Sequence, residues 1–429
     1  MTTYTLSRKK HAIFVAATLL YWTTMYIYVP ILTPFLKDRG ISLSLIGLIV
    51  GSYGLTQVLI RFPLGIYSDR MRRRKPFMVV GMLAGLASCG LFLLGNSWGT
   101  PLAGRLVAGI CASAWVPFTV LYASYYPPAK STQAMATLSF LTVLGQLFGM
   151  TASGWIAGSG GWDAAFLTGI GLAALGTVAA LGIEERAPAL SASVPAPTAK
   201  PRKTAPHERS STGSNRRIRD LLSLIGSSPL LIEVSILSML GHCILFITMF
   251  GFTPLQAVEL GASASELTWL VVAFMVPHAL ISLWNGRYIA PRLGARRTIL
   301  CGFALSAICT AIIPLCPSLP WLYATQAING IGQALYIPLL LGLAIQDFAP
   351  EHRATAMGFY QSVYSIGMFL GPYLAGWLNG IGGLEAGFFF GASLGLVAAA
   401  IVTIRGQRQK RAIAKSAVAA DETPNTLST

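Results

Sequence analysis

Charge is what this sequence has least of. Only 11% of its 429 residues are Asp, Glu, Lys or Arg, less than half the ~25% carried by soluble domains, which excludes an ordinary water-soluble fold. Acid is scarcest, with 15 acidic against 31 basic residues. None of the acids falls in the middle of an apolar run; Glu233 lies about one turn inside its own. The six cysteines (Cys89, Cys111, Cys243, Cys301, Cys309 and Cys316) sit in or at the ends of apolar runs. They form no CxxC pair and no metal-ligand spacing, which excludes a disulfide framework and a zinc site and leaves small packing residues. No nucleotide-binding glycine loop and no nucleophile–base constellation is present. The expectation is a protein that is not an enzyme and takes no cofactor or metal.

What is present is apolar length. The chain is 54% hydrophobic, its mean hydropathy is +0.62, and runs of the ~20 apolar residues that cross a bilayer recur along it. The 44 glycines lie largely inside these runs, as in packed membrane helices. Twelve spans are predicted: 11–36, 43–67, 76–95, 98–124, 133–158, 162–183, 229–254, 266–290, 298–316, 320–346, 355–379 and 385–404. The polar stretch 184–228, rich in Pro, Ser, Thr and Arg, cannot bury enough apolar surface to fold alone. It divides the chain into a bundle over 1–183, a disordered linker, a second bundle over 229–404 and a tail over 405–429. The basic residues Arg8, Lys9 and Lys10 precede a run too long for a signal peptide and without a small-residue cleavage site, so the first helix is expected to stay in place.

A net charge of +16 would suit nucleic acid, but its distribution does not. Only Lys37 and Arg39 fall in outward loops, and Arg61 and Arg105 fall inside spans. The other basic residues gather at inward loops, linker and tails, as the positive-inside rule requires. The expectation is a multi-pass protein of the bacterial plasma (inner) membrane, with both termini cytoplasmic, the bilayer and a small molecule as its partners, no nucleic acid, and a monomeric state.

The two halves repeat each other. Thr33-Pro34 returns as Thr253-Pro254 at an offset of 220, and Gly40, Ser42 and Ser44 return as Gly261, Ser263 and Ser265 at 221. Gly109 and Pro117 return as Gly330 and Pro338, again at 221, and Gly145, Gly149, Gly154 and Trp155 as Gly367, Gly371, Gly376 and Trp377 at 222. Ordered matches with so little drift mark a duplication. Six spans per unit give both units the same orientation, so the pseudo-axis runs along the membrane normal and the expected solute site lies near the midplane. The fold class is therefore an all-α membrane protein, twelve transmembrane helices in two pseudo-symmetric six-helix bundles.

At the end of the second span the sequence reads GIYSDRMRRRKP from Gly65. It resembles the signature of the major facilitator superfamily, with Gly65, Asp69, Arg70, Arg73 and Arg74 matching and Arg72 where a second glycine is usual. The resemblance implies a gating latch, in which Gly65 allows close helix approach and Asp69 accepts charge-assisted hydrogen bonds. A plain topogenic loop would need the arginines but neither the glycine nor the acid. The equivalent loop, GRYIAPRLGARR from Gly286, keeps Arg292, Gly294, Arg296 and Arg297 but has Ala290 and Pro291 in the region of the acid, so only one latch is expected.

The fourth span, RLVAGICASAWVP from Arg105, is similar to the superfamily's fourth-helix pattern, with Cys111 replacing a usual glycine. The resemblance makes Arg105 a candidate for proton coupling or charge sensing. The competing reading is an arginine about two turns from the outer boundary that snorkels to it. Its counterpart in the second half is Gln326. The eleventh span, GMFLGPYLAG from Gly367, resembles the antiporter motif that normally sits in the fifth span, where this chain has Met150 in place of proline. Gly145, Gly149, Gly367, Gly371 and Pro372 read equally as helix packing.

In this superfamily the first, second, fourth and fifth helices and their repeats line the cavity. The candidates there are Tyr26, Gln57, Trp115, Gln146, Gln333, Tyr336, Tyr360, Gln361 and Tyr364, with Tyr21, Trp22 and Tyr28 beside them. Tyr360 and Tyr364 share a helix face; such a stripe is more often packing than cavity wall. Arg61 lies ~12 Å along the helix from Asp69, too deep for a topogenic charge, and suggests an anionic solute or a buried partner. His242 and His278 fall near the middle of the seventh and eighth spans, where each could carry a proton or simply bond a carbonyl. Many proton-coupled exporters of the superfamily carry an acid in the first helix; this chain has Tyr, Trp and Thr there. The leading expectation is a secondary exporter of a small organic solute, drug-like or metabolite, working by alternating access on an ion gradient, with protons as the expected ion. An uptake symporter or uniporter for an anionic nutrient is the alternative, and a non-transporting sensor a third.

Overall fold

The computed structural model describes residues 7–71, 73–95, 97–126, 131–185, 226, 228–348 and 353–421; inside its helices the side chains of residues 62, 65–66, 69–70, 131–136, 353–355 and 408–421 are not among those described. The predicted linker, apart from a few residues at its ends, falls outside them.

The described chain is helical. The first half contributes α1 (Arg8–Tyr26), α2 (Leu32–Asp38), α3 (Leu43–Met71), α4 (Lys75–Leu93), α5 (Gly99–Ser113), α6 (Trp115–Ser124), α7 (Ser131–Gly160) and α8 (Trp162–Leu181). The second half contributes α9 (Pro229–Ile247), α10 (Thr253–Glu259), α11 (Leu267–Trp284), α12 (Ala290–Leu293), α13 (Ala295–Ile312), α14 (Leu319–Gln346), α15 (Arg353–Gly382) and α16 (Leu384–Asp421). Among the described residues, ten helical stretches are long and apolar enough to cross a membrane. The first and eleventh predicted spans fall on α1, α2 and α15, which polar and aromatic side chains make less apolar.

Several spans are less regular than their hydropathy suggests. The first breaks between Tyr26 and Leu32, where Pro30 offers no amide donor and disfavours helix at the residue before it. The fourth breaks at Ala114, so that Pro117 sits in the first turn of α6, where a missing donor does little harm. The seventh loosens into a wide turn at Thr248–Phe252 just before Pro254. The twelfth, expected to end at 404, continues as helix to Asp421.

The described chain forms two compact units. One comprises Met1–Leu32, Ser52–Ile236 and Leu343–Ile366; the other comprises Thr33–Gly51, Leu237–Gly342 and Gly367–Thr429. Each therefore borrows a segment from the opposite half of the sequence. In the second unit Gly47 of α3 crosses Gly376 of α15 so closely that a β-carbon on Gly47 would lie 2.7 Å from the Gly376 Cα.

The duplication read from the sequence reappears as duplicated contacts. A β-carbon on Gly149 would lie 2.7 Å from the Thr23 carbonyl oxygen, and one on Gly371 2.8 Å from that of Cys243. Gly109 presses on the Tyr53 carbonyl as Gly330 presses on that of Phe274, and Gly169 meets Cys89 and Ile27 as Gly391 meets Thr310 and Ile247. Each pair of partners is separated by the same 220–222 residues as the glycines. The tight turns repeat too: Gly40 and Gly261 have φ of 73° and 91°, Gly161 and Gly383 of 76° and 78°, a region open to glycine at little strain. Without a hydrophobic force between helices in lipid, close packing at small residues holds such bundles. Gly145, Gly149, Gly367 and Gly371 do this here.

Candidate functional site

Two arginines organise the first unit. Arg105, on α5, is only 3% exposed, so it does not snorkel. Its guanidinium stands 4.5 Å above the Tyr53 ring, and the Tyr28 hydroxyl engages both Arg105 and Ser88. Ser88 in turn donates to the Gly104 carbonyl at 2.8 Å. A cation held over a ring face and by hydroxyls is stabilised without an acid.

Arg61, on α3, is held more loosely. Its Nη1 donates to the Tyr364 hydroxyl at 3.3 Å, and the hydroxyls of Tyr53 and Tyr21 lie within electrostatic reach. Its Nε is buried and makes no hydrogen bond. Among the described residues no carboxylate pairs with it; an ion pair elsewhere joins Lys10 to Glu184. A charged side chain at this depth costs ~2.5–3.5 kcal/mol on insertion scales, and tyrosine oxygens offset only part of that.

Tyr53 links the two. It shares an α3 face with Gln57 and Arg61 at i, i+4 and i+8, engages the Tyr26 hydroxyl, and feels both arginines. Gln57 turns back to the Tyr53 carbonyl at 3.3 Å. Sequence reasoning passed over Tyr53; its spacing ahead of Arg61 was the available signal. Beside it Tyr21 stacks on Trp115 with centroids 6.1 Å apart, and Trp22 meets the same indole edge-to-face at 4.9 Å. Tyr26 packs against Trp22, and Tyr360 against Tyr364 at 5.5 Å. Of the first-half cavity candidates, Tyr26, Gln57 and Trp115 thus converge with Arg61 and Arg105. Gln146 of α7 and Gln361 of α15 are half-buried.

The second unit is arranged differently. Gln333 and Tyr336, expected on a cavity wall, are fully buried in helix packing, with Tyr336 stacked on Phe303 at 4.0 Å. His278 Nδ1 lies 3.2 Å from the Gly330 carbonyl, which can only accept, so Nδ1 carries the proton and Nε2 is the basic nitrogen. His242 bonds the Ser238 carbonyl one turn back at 2.8 Å.

At the predicted latch the helix carrying Gly65, Asp69 and Arg70 is described, but the placement of these three side groups is not. Arg73 is exposed, and Arg74 donates through Nη1 to the Ser68 carbonyl. Glu185 bonds the backbone amides of Arg74 and, at 3.0 Å, Lys75. A carboxylate there suits the positive end of α4. In the second half Gly294 has φ 84° between α12 and α13, which explains why glycine persists there. Among the described residues no cluster of His, Cys, Asp or Glu could hold a metal.

Duplicated helical units in a bilayer, with charge held inside by aromatic hydroxyls, define a membrane carrier rather than an enzyme. The chain belongs to the Major Facilitator Superfamily, whose family model matches residues 14–259 and 234–424. It is 26% identical over 395 residues to the inner membrane transport protein YajR of Escherichia coli K12, covering 87% of this chain and 78% of that one. It is 31% identical over 126 residues to the multidrug export protein EmrB of Haemophilus influenzae, covering 29% of this chain and 24% of the relative. Its fold matches a bacterial homolog of the human lysosomal transporter Spinster, solved inward-facing and unoccupied, with a TM-score of 0.75 at 16% identity over 93% of this chain and 97% of that one.

Proposed function

We propose that this protein is a secondary transporter that exports a small organic solute carrying an anionic group across the bacterial inner membrane by alternating access. The observation that carries the reading is Arg61, a guanidinium inside a span with one tyrosine hydroxyl as hydrogen-bond partner and no carboxylate among the described residues. A planar fork with unused donors suits a carboxylate, sulfonate or phosphate. The half-buried rings of Tyr26 and Trp115 suit the organic body of such a solute. Arg105, committed to Tyr28 and Tyr53, sets the positive potential around it.

Export follows the similarity to EmrB. The six-helix bundles over 1–183 and 229–404 work as a monomer, with both termini cytoplasmic, and Asp69 with Arg70, Arg73 and Arg74 forms the latch. Protons supply the energy. His278 and His242 are the candidate carriers, each with Nδ1 against a backbone carbonyl.

The test uses everted membrane vesicles and two probes of one shape, 1-naphthalenesulfonate and neutral 1-naphthalenesulfonamide. Energised vesicles should accumulate the sulfonate and lose it on adding a protonophore. Equal handling of both probes would remove the anionic reading. Accumulation of the sulfonate only in right-side-out vesicles would instead establish uptake of an anionic nutrient.

A further inference from the structure

The second unit buries a run of neutral polar groups that its own hydrogen bonds do not satisfy. Gln326, Asn329, Gln333 and Tyr336 follow one face of α14, and Ser306 and Thr310 lie one turn apart on α13; all six are 0% exposed. Ser306 donates to Asn329 Oδ1 at 2.8 Å, and Gln333 Nε2 reaches the same oxygen at 3.5 Å. Tyr336 lies beside Ser306. Yet both amide atoms of Gln326, Nδ2 of Asn329, Oε1 of Gln333 and the Thr310 hydroxyl make no hydrogen bond among the described residues. Buried polar groups almost always find a partner, and in hydrocarbon surroundings bulk water cannot provide one.

The duplication shows that the packing does not require this polarity. At the equivalent positions the first half has Arg105, Ala108, Ala112 and Trp115 on its fourth span and Gly85 and Cys89 on its third, and the glycine contacts of the two halves correspond. Ala108, Ala112, Gly85 and Cys89 close one copy, so the fold has no structural need of Asn329, Gln333, Ser306 and Thr310 in the other.

We propose that these six side chains form an internal hydration site holding water between α13 and α14. Two features select water over other neutral or cationic ligands. The unsatisfied set mixes donors (Gln326 Nε2, Asn329 Nδ2) with acceptors (Gln326 Oε1, Gln333 Oε1), which suits a molecule that both donates and accepts; the amide donors would repel a metal cation. The helices also nearly touch beside the site, a β-carbon on Gly302 falling 2.7 Å from the Gly332 carbonyl oxygen. That spacing leaves no width for an organic solute. Buried waters typically make about three hydrogen bonds each, so the set calls for more than one.

The test combines radical footprinting with thermal unfolding of the purified full chain in detergent. Water held against a buried side chain is radiolysed in place and labels it. Tyr336 should therefore be modified on a millisecond X-ray dose, whereas Tyr21, equally buried but donating to the Cys111 carbonyl, should not. Gln326→Leu and Asn329→Leu should each lower the Tm by roughly 2–5 °C, because each strands the water and its remaining partners. Labelling of Tyr336 no greater than that of Tyr21, or a rise in Tm in either variant, would mean a dry seam and overturn the proposal. Sodium or 1-naphthalenesulfonate raising the Tm of the native protein but not of Gln326→Leu would overturn it in favour of a cation or solute site.

Discussion

Arg61 of α3 donates from Nη1 to the hydroxyl of Tyr364 on α15, 3.3 Å away and 303 positions along the chain. This bond joins helices from opposite halves of the sequence inside one compact unit. It leaves most of the guanidinium's donors unused, which is the state expected of a binding group between substrates rather than of a structural charge.

If Arg61 reads the anion, Arg61→Ala should reduce 1-naphthalenesulfonate transport by roughly 10–100-fold, the loss of a charge-assisted contact of about 1.5–3 kcal/mol. Arg61→Lys should recover only part of it, since a point charge replaces a fork. Initial rates at matched membrane expression decide this, and unchanged rates in the alanine variant would leave Arg61 structural.

Asp69→Asn should impair transport while expression and membrane insertion stay normal, because an amide keeps the shape but loses the charge a latch needs. Full activity in that variant would dismiss the latch.

The repeated glycine contacts make a paired prediction. Gly149→Val and Gly371→Val should each destabilise by about 1–3 kcal/mol, since each drives side-chain atoms into a helix backbone already in contact. Gly171→Val, where an added β-carbon meets nothing, should change the unfolding temperature little. A uniform response at all three positions would refute close packing as the role of the pair.

Glu185→Ala should destabilise by about 1 kcal/mol, through loss of the carboxylate that caps the first turn of α4. Thermal unfolding in detergent measures this. A matching loss in Glu185→Gln would point to shape rather than charge.

The sequence alone determined what depends on composition and order: a membrane solvent, twelve apolar runs, a duplication, and the glycines on which the helices meet. These follow from hydropathy and repeat, which are local or periodic properties of the chain. Arg61 and Arg105 stood out for the same reason, as charges where charge is expensive. Only the tertiary structure decided which of them is satisfied. Arg105 is occupied by Tyr28 and Tyr53, and Arg61 by little more than Tyr364, because partners 52 to 303 residues distant are chosen by how helices cross and not by spacing along one of them. The same cause moved Gln333 and Tyr336 from an expected cavity wall into a buried seam: helical periodicity fixes which residues share a face, and packing alone decides what that face meets.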